Sequence, residues 1–175
     1  MNPANRQVFN TKTVIASGLA AIAFGALLAT PAAGADKRVQ RGEYLVHIMD
    51  CTGCHTPGAL AGKPDASRFL AGSNIGFGIP DLGVFYPPNL TPDKETGIGG
   101  WSEADIVKAV RTGERPDGRM LVPVMPYHSY SKLTDQDAAA LAAYLKSMKP
   151  VSNKAPAMVG ASEKPVAPYL TVKMP

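Results

Sequence analysis

Apolar residues recur at three- and four-residue steps in three separate stretches of this chain. Val39, Gly42, Leu45, Val46 and Met49 share one helical face, which predicts a helix over residues 38–50. Ile106, Val107 and Val110 form a second stripe. Ser102 and Asp105 have the spacing of a capping box and Gly113 supplies a stop, so a helix is expected over 102–113. Ala138, Leu141, Ala142, Leu145 and Met148 make the third stripe, opened by Thr134 with Asp137 and ended by Pro150. Between these stripes the pattern lapses. Residues 56–100 contain 15 Gly or Pro among 45 and show no helical period; residues 83–87 read as a short extended piece. The expectation is an all-α chain of three main helices joined by long loops.

Two features qualify that outline. Gly42 weakens the helix it sits in, and close passage of a second helix would explain it. A structureless loop of 45 residues is unusual in a compact domain. A flat prosthetic group at the centre would give such a loop something to bury its apolar residues against. Phe69, Leu70, Ile75, Phe77, Ile79, Val84 and Phe85 are available for that crevice.

Composition and charge narrow the class. The chain has 175 residues, 45% of them apolar, which suits one domain with extensions. The formal charge of +4 includes Arg6 and Lys12; from Asp36 onward 16 basic residues face 14 acidic ones. A balance of +2 argues for neither nucleic acid nor a membrane surface. Residues 1–35 read as a secretory signal, with Arg6 and Lys12 leading an apolar run at 14–29. Ala33-Gly34-Ala35 offers a cleavage site before Asp36. An uncleaved anchor is the alternative, but the run is shorter than the roughly 20 residues a membrane span needs.

Candidate chemistry begins at Cys51-Thr52-Gly53-Cys54-His55, the C-x-x-C-H pattern of covalent haem attachment. Two thiols three positions apart on a helical turn can each add to one porphyrin vinyl group. The histidine that follows then lies under the ring and can ligate iron. A disulfide would leave His55 unexplained. A thioredoxin-like pair needs a βαβ setting, and a zinc site about four ligands, with only His47 and His128 left as imidazoles. One haem c is therefore expected on Cys51 and Cys54, with His55 on the iron. The other His55 ring nitrogen needs an acceptor, expected to be a backbone carbonyl in the loop bracketed by Pro57 and Pro64.

The sixth iron position decides function. A thioether there raises the potential and makes an electron carrier; an open position allows gas binding or peroxide chemistry. Met120, Met125 and His128 are the candidates, and Pro123 and Pro126 stiffen the backbone around Met125. Ligation by His128 would lower the potential, while a surface role is its ordinary alternative; His47 reads as a partly exposed side chain. Asn89 and Trp101 carry donors suited to a haem propionate, with plain packing as the competing role. Lys108, Arg111, Arg115 and Arg119 are interleaved with Glu114 and Asp117 and read better as a solvated face than as a partner stripe.

From residue 38 to about 170 the chain resembles the single-haem units of bacterial periplasmic cytochromes c. The likeness is to the cytochrome c subunits of membrane-associated alcohol and gluconate dehydrogenases. The strings that carry it are RGEYLVHIMDCTGCHT, PPNLTPDKETGIGGWSEADIVKAVRTG and MPYHSYSKLTDQDAAALAAYLKS. The resemblance implies a class I-like cytochrome c fold wrapped around one haem. Its first and last helices would cross near Gly42. Tyr144, on the third stripe's helix, is a candidate partner for the first helix, with ordinary core packing as its other role. It implies Met125 as the sixth ligand, because MPYHSY matches the family's methionine, and a tryptophan near a propionate. It implies a periplasmic electron carrier, not an enzyme, passing electrons from a dehydrogenase toward an oxidase or another cytochrome. The membrane would be met only by association or through an uncleaved signal. A haem enzyme or gas-binding protein with an open sixth position is the alternative. Those dehydrogenase subunits commonly carry three such units, whereas this chain has one motif. The cytochrome domain is expected over 36–150, followed by an extended proline-rich tail over 151–175.

Overall fold

The computed structural model describes residues 31–173, with side chains described from Lys37 onward. The signal reading for residues 1–35 therefore lies, up to residue 30, outside the described residues. No described helix is long and apolar enough to cross a membrane.

Five helices are present among the described residues: α1 (Pro31–Ile48), α2 (Cys51–His55), α3 (Glu103–Thr112), α4 (Tyr127–Tyr130) and α5 (Asp135–Ser147). The ends follow the local chemistry. Ser102 and Asp105 form a reciprocal capping box on α3, and Gly113 closes it at φ 79°. Thr134 caps α5 by accepting from the Asp137 backbone N–H. At the end of α1, Asp50 adopts a left-handed conformation (φ 53°), which Asp tolerates better than most residues. That residue bends the chain from α1 into α2, and its carboxylate caps the new helix at the Gly53 N–H, 3.2 Å away.

α1 and α5 cross at Gly42, which is buried. A Cβ there would lie 2.1 Å from the Ala140 carbonyl oxygen and 2.6 Å from Tyr144 Cβ. Leu45 and Val46 of α1 meet Leu141, Ala142 and Leu145 of α5 and Ile106 of α3 in one buried cluster. Each fully buried Leu or Val contributes about 1.5–3 kcal/mol. Arg38–Glu103 and Arg41–Asp137 tie the same helices on the outside. Exposed pairs of this kind are worth about 0–1 kcal/mol, so apolar contact dominates the crossing.

The all-α expectation is corrected. A small sheet stands beside the helices, made of β1 (Gly76–Ile79), β2 (Gly83–Phe85) and β3 (Tyr169–Thr171) in the order β2-β1-β3. β1 pairs antiparallel with β2 and parallel with β3, so Phe77 lies opposite both Phe85 and Leu170. The extended piece read at 83–87 is β2. β1 and β3 carry too few residues to show a period, and β3 finds its partner some ninety residues back along the chain. The count of three main helices is likewise replaced by five, of which only α1, α3 and α5 have ten or more residues. α2 and α4 are too short for a periodic stripe.

The tail runs extended and is fastened to the loop. Val159 bridges Val84, and the Tyr86 hydroxyl donates to the Ala167 carbonyl at 2.7 Å. Asn153 Nδ2 donates to the Ala71 carbonyl at 2.7 Å. The Val151 N–H donates to Thr91 Oγ1 at 3.1 Å. These bonds supply the irregular segment with the order its own sequence lacks.

Candidate functional site

Helices α2, α3 and α5, the 85–98 segment and the loop before α4 enclose a cavity of about 650 Å³. That volume is in the range of small-molecule and cofactor sites. Cys51, Cys54, His55, Asn89, Trp101 and Met125, all singled out from the sequence, line it together.

Cys51 and Cys54 are free thiols on one turn of α2, the first buried and the second half-buried. Burial pushes the Cys51 thiol up to about 11. Burial, then the Asp50 charge, also raises Cys54. Redox C-x-x-C pairs depend on a lowered thiol pKa; here the thiols are held neutral. No group of three or more His, Cys, Asp or Glu arranged to hold a bare metal ion exists among the described residues.

His55 is buried, and its Nδ1 lies 2.8 Å from the Pro88 carbonyl oxygen. A carbonyl only accepts, so Nδ1 carries the proton and donates. Burial lowers the imidazole pKa and the Pro88 bond partly offsets it, which leaves a neutral ring. Nε2 has no hydrogen-bond partner among the described residues and keeps its lone pair for a metal. The expected acceptor between Pro57 and Pro64 is corrected to Pro88. That residue is 33 positions away, and the loop's return path, invisible in local spacing, brings it to the ring's Nδ1 edge.

Met125 lines the cavity from the loop that precedes α4. Met120 is 51% exposed and is not among the lining residues, and the exposed His128 stacks on Tyr127 with ring centroids 4.3 Å apart. Only one of the three candidates thus shares the space with His55. Ile98, Ile106, Val110, Leu141 and Leu145 give the cavity apolar walls, with Phe77 and Phe85 from the sheet. The other apolar loop residues fall elsewhere. Leu70 joins the helical core and Phe69 packs against that core and against His47.

The polar end differs from expectation. Asn89 Nδ2 donates to Thr96 Oγ1 at 3.0 Å and to the Val151 carbonyl at 2.8 Å. Its Oδ1 accepts from the Thr91 N–H and hydroxyl at 2.9 and 2.8 Å. Both amide hydrogens are engaged, so Asn89 offers a propionate no free donor. It anchors the backbone next to Pro88 instead. Trp101 keeps its indole N–H without a partner among the described residues, and the Arg115 guanidinium lies 5.1 Å from its ring centroid. Arg115, Arg119 and Lys154 line the same cavity. Of the four basic residues weighed from sequence, Lys108 pairs with Glu114, Arg111 with Asp135 and Arg115 with Asp117. Arg119 has no ion pair among the described residues, and burial, with Arg115 nearby, lowers its pKa.

This donor set fits a covalently held haem. Two neutral thiols and a metal-ready imidazole project from one turn, a thioether lines the same space, and the walls are apolar. Cations and an indole N–H line it as well and suit carboxylates. Sequence reasoning missed Pro88, Lys154 and Tyr130 as lining residues. Pro88 and Tyr130 sit within quoted strings that gave them no role, and Lys154 sits in the tail; chain folding brings each to the cavity.

The cytochrome c family profile matches residues 39–149. The cytochrome c subunit of a quinone-dependent alcohol dehydrogenase from Gluconobacter oxydans is 41% identical over 148 residues, covering 83% of this chain and 29% of that protein. The cytochrome subunit of a fructose dehydrogenase from Gluconobacter japonicus is 40% identical, covering 73% of this chain and 25% of the relative. A diheme cytochrome c-type protein of Cereibacter sphaeroides is 36% identical, covering 67% and 38%. The chain thus spans about a quarter to two fifths of the length of these relatives.

Proposed function

The chain belongs to the cytochrome c family, and from that premise we propose that it is a periplasmic electron carrier with one haem c. Cys51 and Cys54 hold the haem through thioethers, and His55 Nε2 and the Met125 sulfur ligate the iron. When bound, the haem supplies an iron that passes between Fe(III) and Fe(II) without exchanging ligands. The protein's part is to hold both ligands still, because ligand movement would add reorganisation to every transfer. His55 is held in one tautomer by Pro88. The apolar walls keep water from the ring, and a soft sulfur ligand favours the ferrous state. Trp101, Arg115, Arg119 and Lys154 take the propionates.

The observation that carries this reading is the shared cavity of Cys51, Cys54, His55 and Met125, with Met120 and His128 exposed outside it. Dehydrogenase subunits among the relatives support a dehydrogenase as donor; the acceptor is an oxidase or another cytochrome. Residues 1–35 serve as the export signal, cleaved before Asp36.

Absorption spectroscopy of the holoprotein tests the assignment. The oxidised protein is expected to show the far-red sulfur-to-iron band, and the reduced protein to bind carbon monoxide poorly. Met125→Ala removes the band and lowers the potential, whereas Met120→Ala leaves both unchanged. Rapid carbon monoxide binding by the unaltered protein would instead establish an open sixth position, and with it a haem enzyme or gas-binding protein.

A further inference from the structure

The two iron ligands come from segments far apart in the chain. His55 belongs to the α1–α2 joint and Met125 to the loop before α4. The Tyr130 hydroxyl, at the end of α4, donates to the Met49 carbonyl oxygen at 2.8 Å. Met49 lies just past α1, where carbonyls lose their intrahelical partners and accept from elsewhere. Tyr130 and Met49 both line the cavity beside Met125, Cys51 and Cys54.

Other bonds fix the Met125 loop only to its own neighbourhood. The Leu121 N–H donates to the Gly113 carbonyl at 2.8 Å, and the Tyr130 N–H to the Pro126 carbonyl at 3.1 Å. Tyr127 lays its ring against Gly113. Tyr130 differs because it crosses from the methionine side to the segment that enters C-x-x-C-H. We propose that Tyr130 is a positioning residue whose hydroxyl, bonded to the Met49 carbonyl, latches the Met125 loop over the haem and so holds the sixth iron position closed. The inference rests on Met125 ligation as proposed above. Burial pushes the phenol up to about 12, so it remains a hydrogen-bond donor across the neutral range.

The latch acts on an equilibrium between closed and opened loop. Losing one neutral hydrogen bond shifts such an equilibrium roughly fivefold. A competitor for the sixth position reads that shift directly, because the opened fraction scales its apparent affinity.

The test uses ferric holoprotein titrated with imidazole, followed by loss of the sulfur-to-iron band, with carbon monoxide association to the ferrous form in parallel. Tyr130→Phe removes one oxygen and retains the ring. It is expected to tighten apparent imidazole binding and speed carbon monoxide association, each about fivefold, while its ferric spectrum without imidazole keeps the band. Tyr127→Phe, whose hydroxyl makes no hydrogen bond among the described residues, controls for loss of a phenol on α4 and should match the unaltered protein. Equal imidazole affinity in Tyr130→Phe and the unaltered protein, both showing the band, overturns the latch and leaves Met125 ligation standing. Equal tightening by Tyr127→Phe also overturns it, since general loosening would then suffice. Absence of the band from the unaltered protein overturns the Met125 assignment itself, and the latch with it.

Discussion

Replacing Gly42 by alanine adds one methyl group at the tightest point of the helix crossing. Two effects oppose each other. In a free helix the change is favourable by about 1 kcal/mol, because glycine carries the greater backbone entropy. In the folded protein the new Cβ would sit 2.1 Å from the Ala140 carbonyl oxygen and 2.7 Å from its carbon. Those are backbone atoms of α5 and cannot rotate away, so α1 and α5 must separate. Overpacking of this kind costs about 1–3 kcal/mol, and backbone contact puts Gly42 at the upper end. The net expectation is a loss of about 2 kcal/mol. A domain of this size loses about 2–4 °C per kcal/mol, so the melting temperature should fall by about 4–8 °C. Thermal unfolding of the holoprotein, followed by far-ultraviolet circular dichroism, measures it. An unchanged or raised melting temperature would refute the reasoning, since helix propensity alone predicts a rise.

Cys51→Ala or Cys54→Ala should leave little haem on the denatured polypeptide, read by haem staining after denaturing electrophoresis; full staining of both variants would contradict thioether attachment. Asn89→Ala should release the backbone beside Pro88 and weaken the bond to His55 Nδ1. A less tightly bonded imidazole is a less basic ligand and stabilises Fe(III) less, so the potential should rise in redox titration; a fall would reverse the assigned role.

The helices were legible because their information is local. Ser102 and Asp105 sit three residues apart and cap α3 as read. The stripes of α1 and α5 meet at the glycine whose presence in a helix called for a close neighbour. The C-x-x-C-H thiols and histidine likewise share one turn, so their chemistry is written in adjacent letters. α4 was not legible, since four residues hold little more than one turn. The sheet was not, since Gly76 to Ile79 gains its meaning from Leu170, which pairs with Phe77.

Local spacing picked out the attachment motif, the three longer helices, a helical glycine that called for a close neighbour and a short set of candidates for the sixth position. The choice among remote groups was made by folding. It set the Pro88 carbonyl on His55 Nδ1 and engaged the Asn89 amide with Thr96 and Val151. It also turned Met125 to the cavity with Met120 left in solvent, and joined Tyr130 to Met49. The physical reason is the same in each case. A cap or a haem-binding turn is satisfied by neighbours along the chain. A buried donor or acceptor must be satisfied by whatever the folded chain brings within about 3 Å, and sequence separation does not record which group that will be.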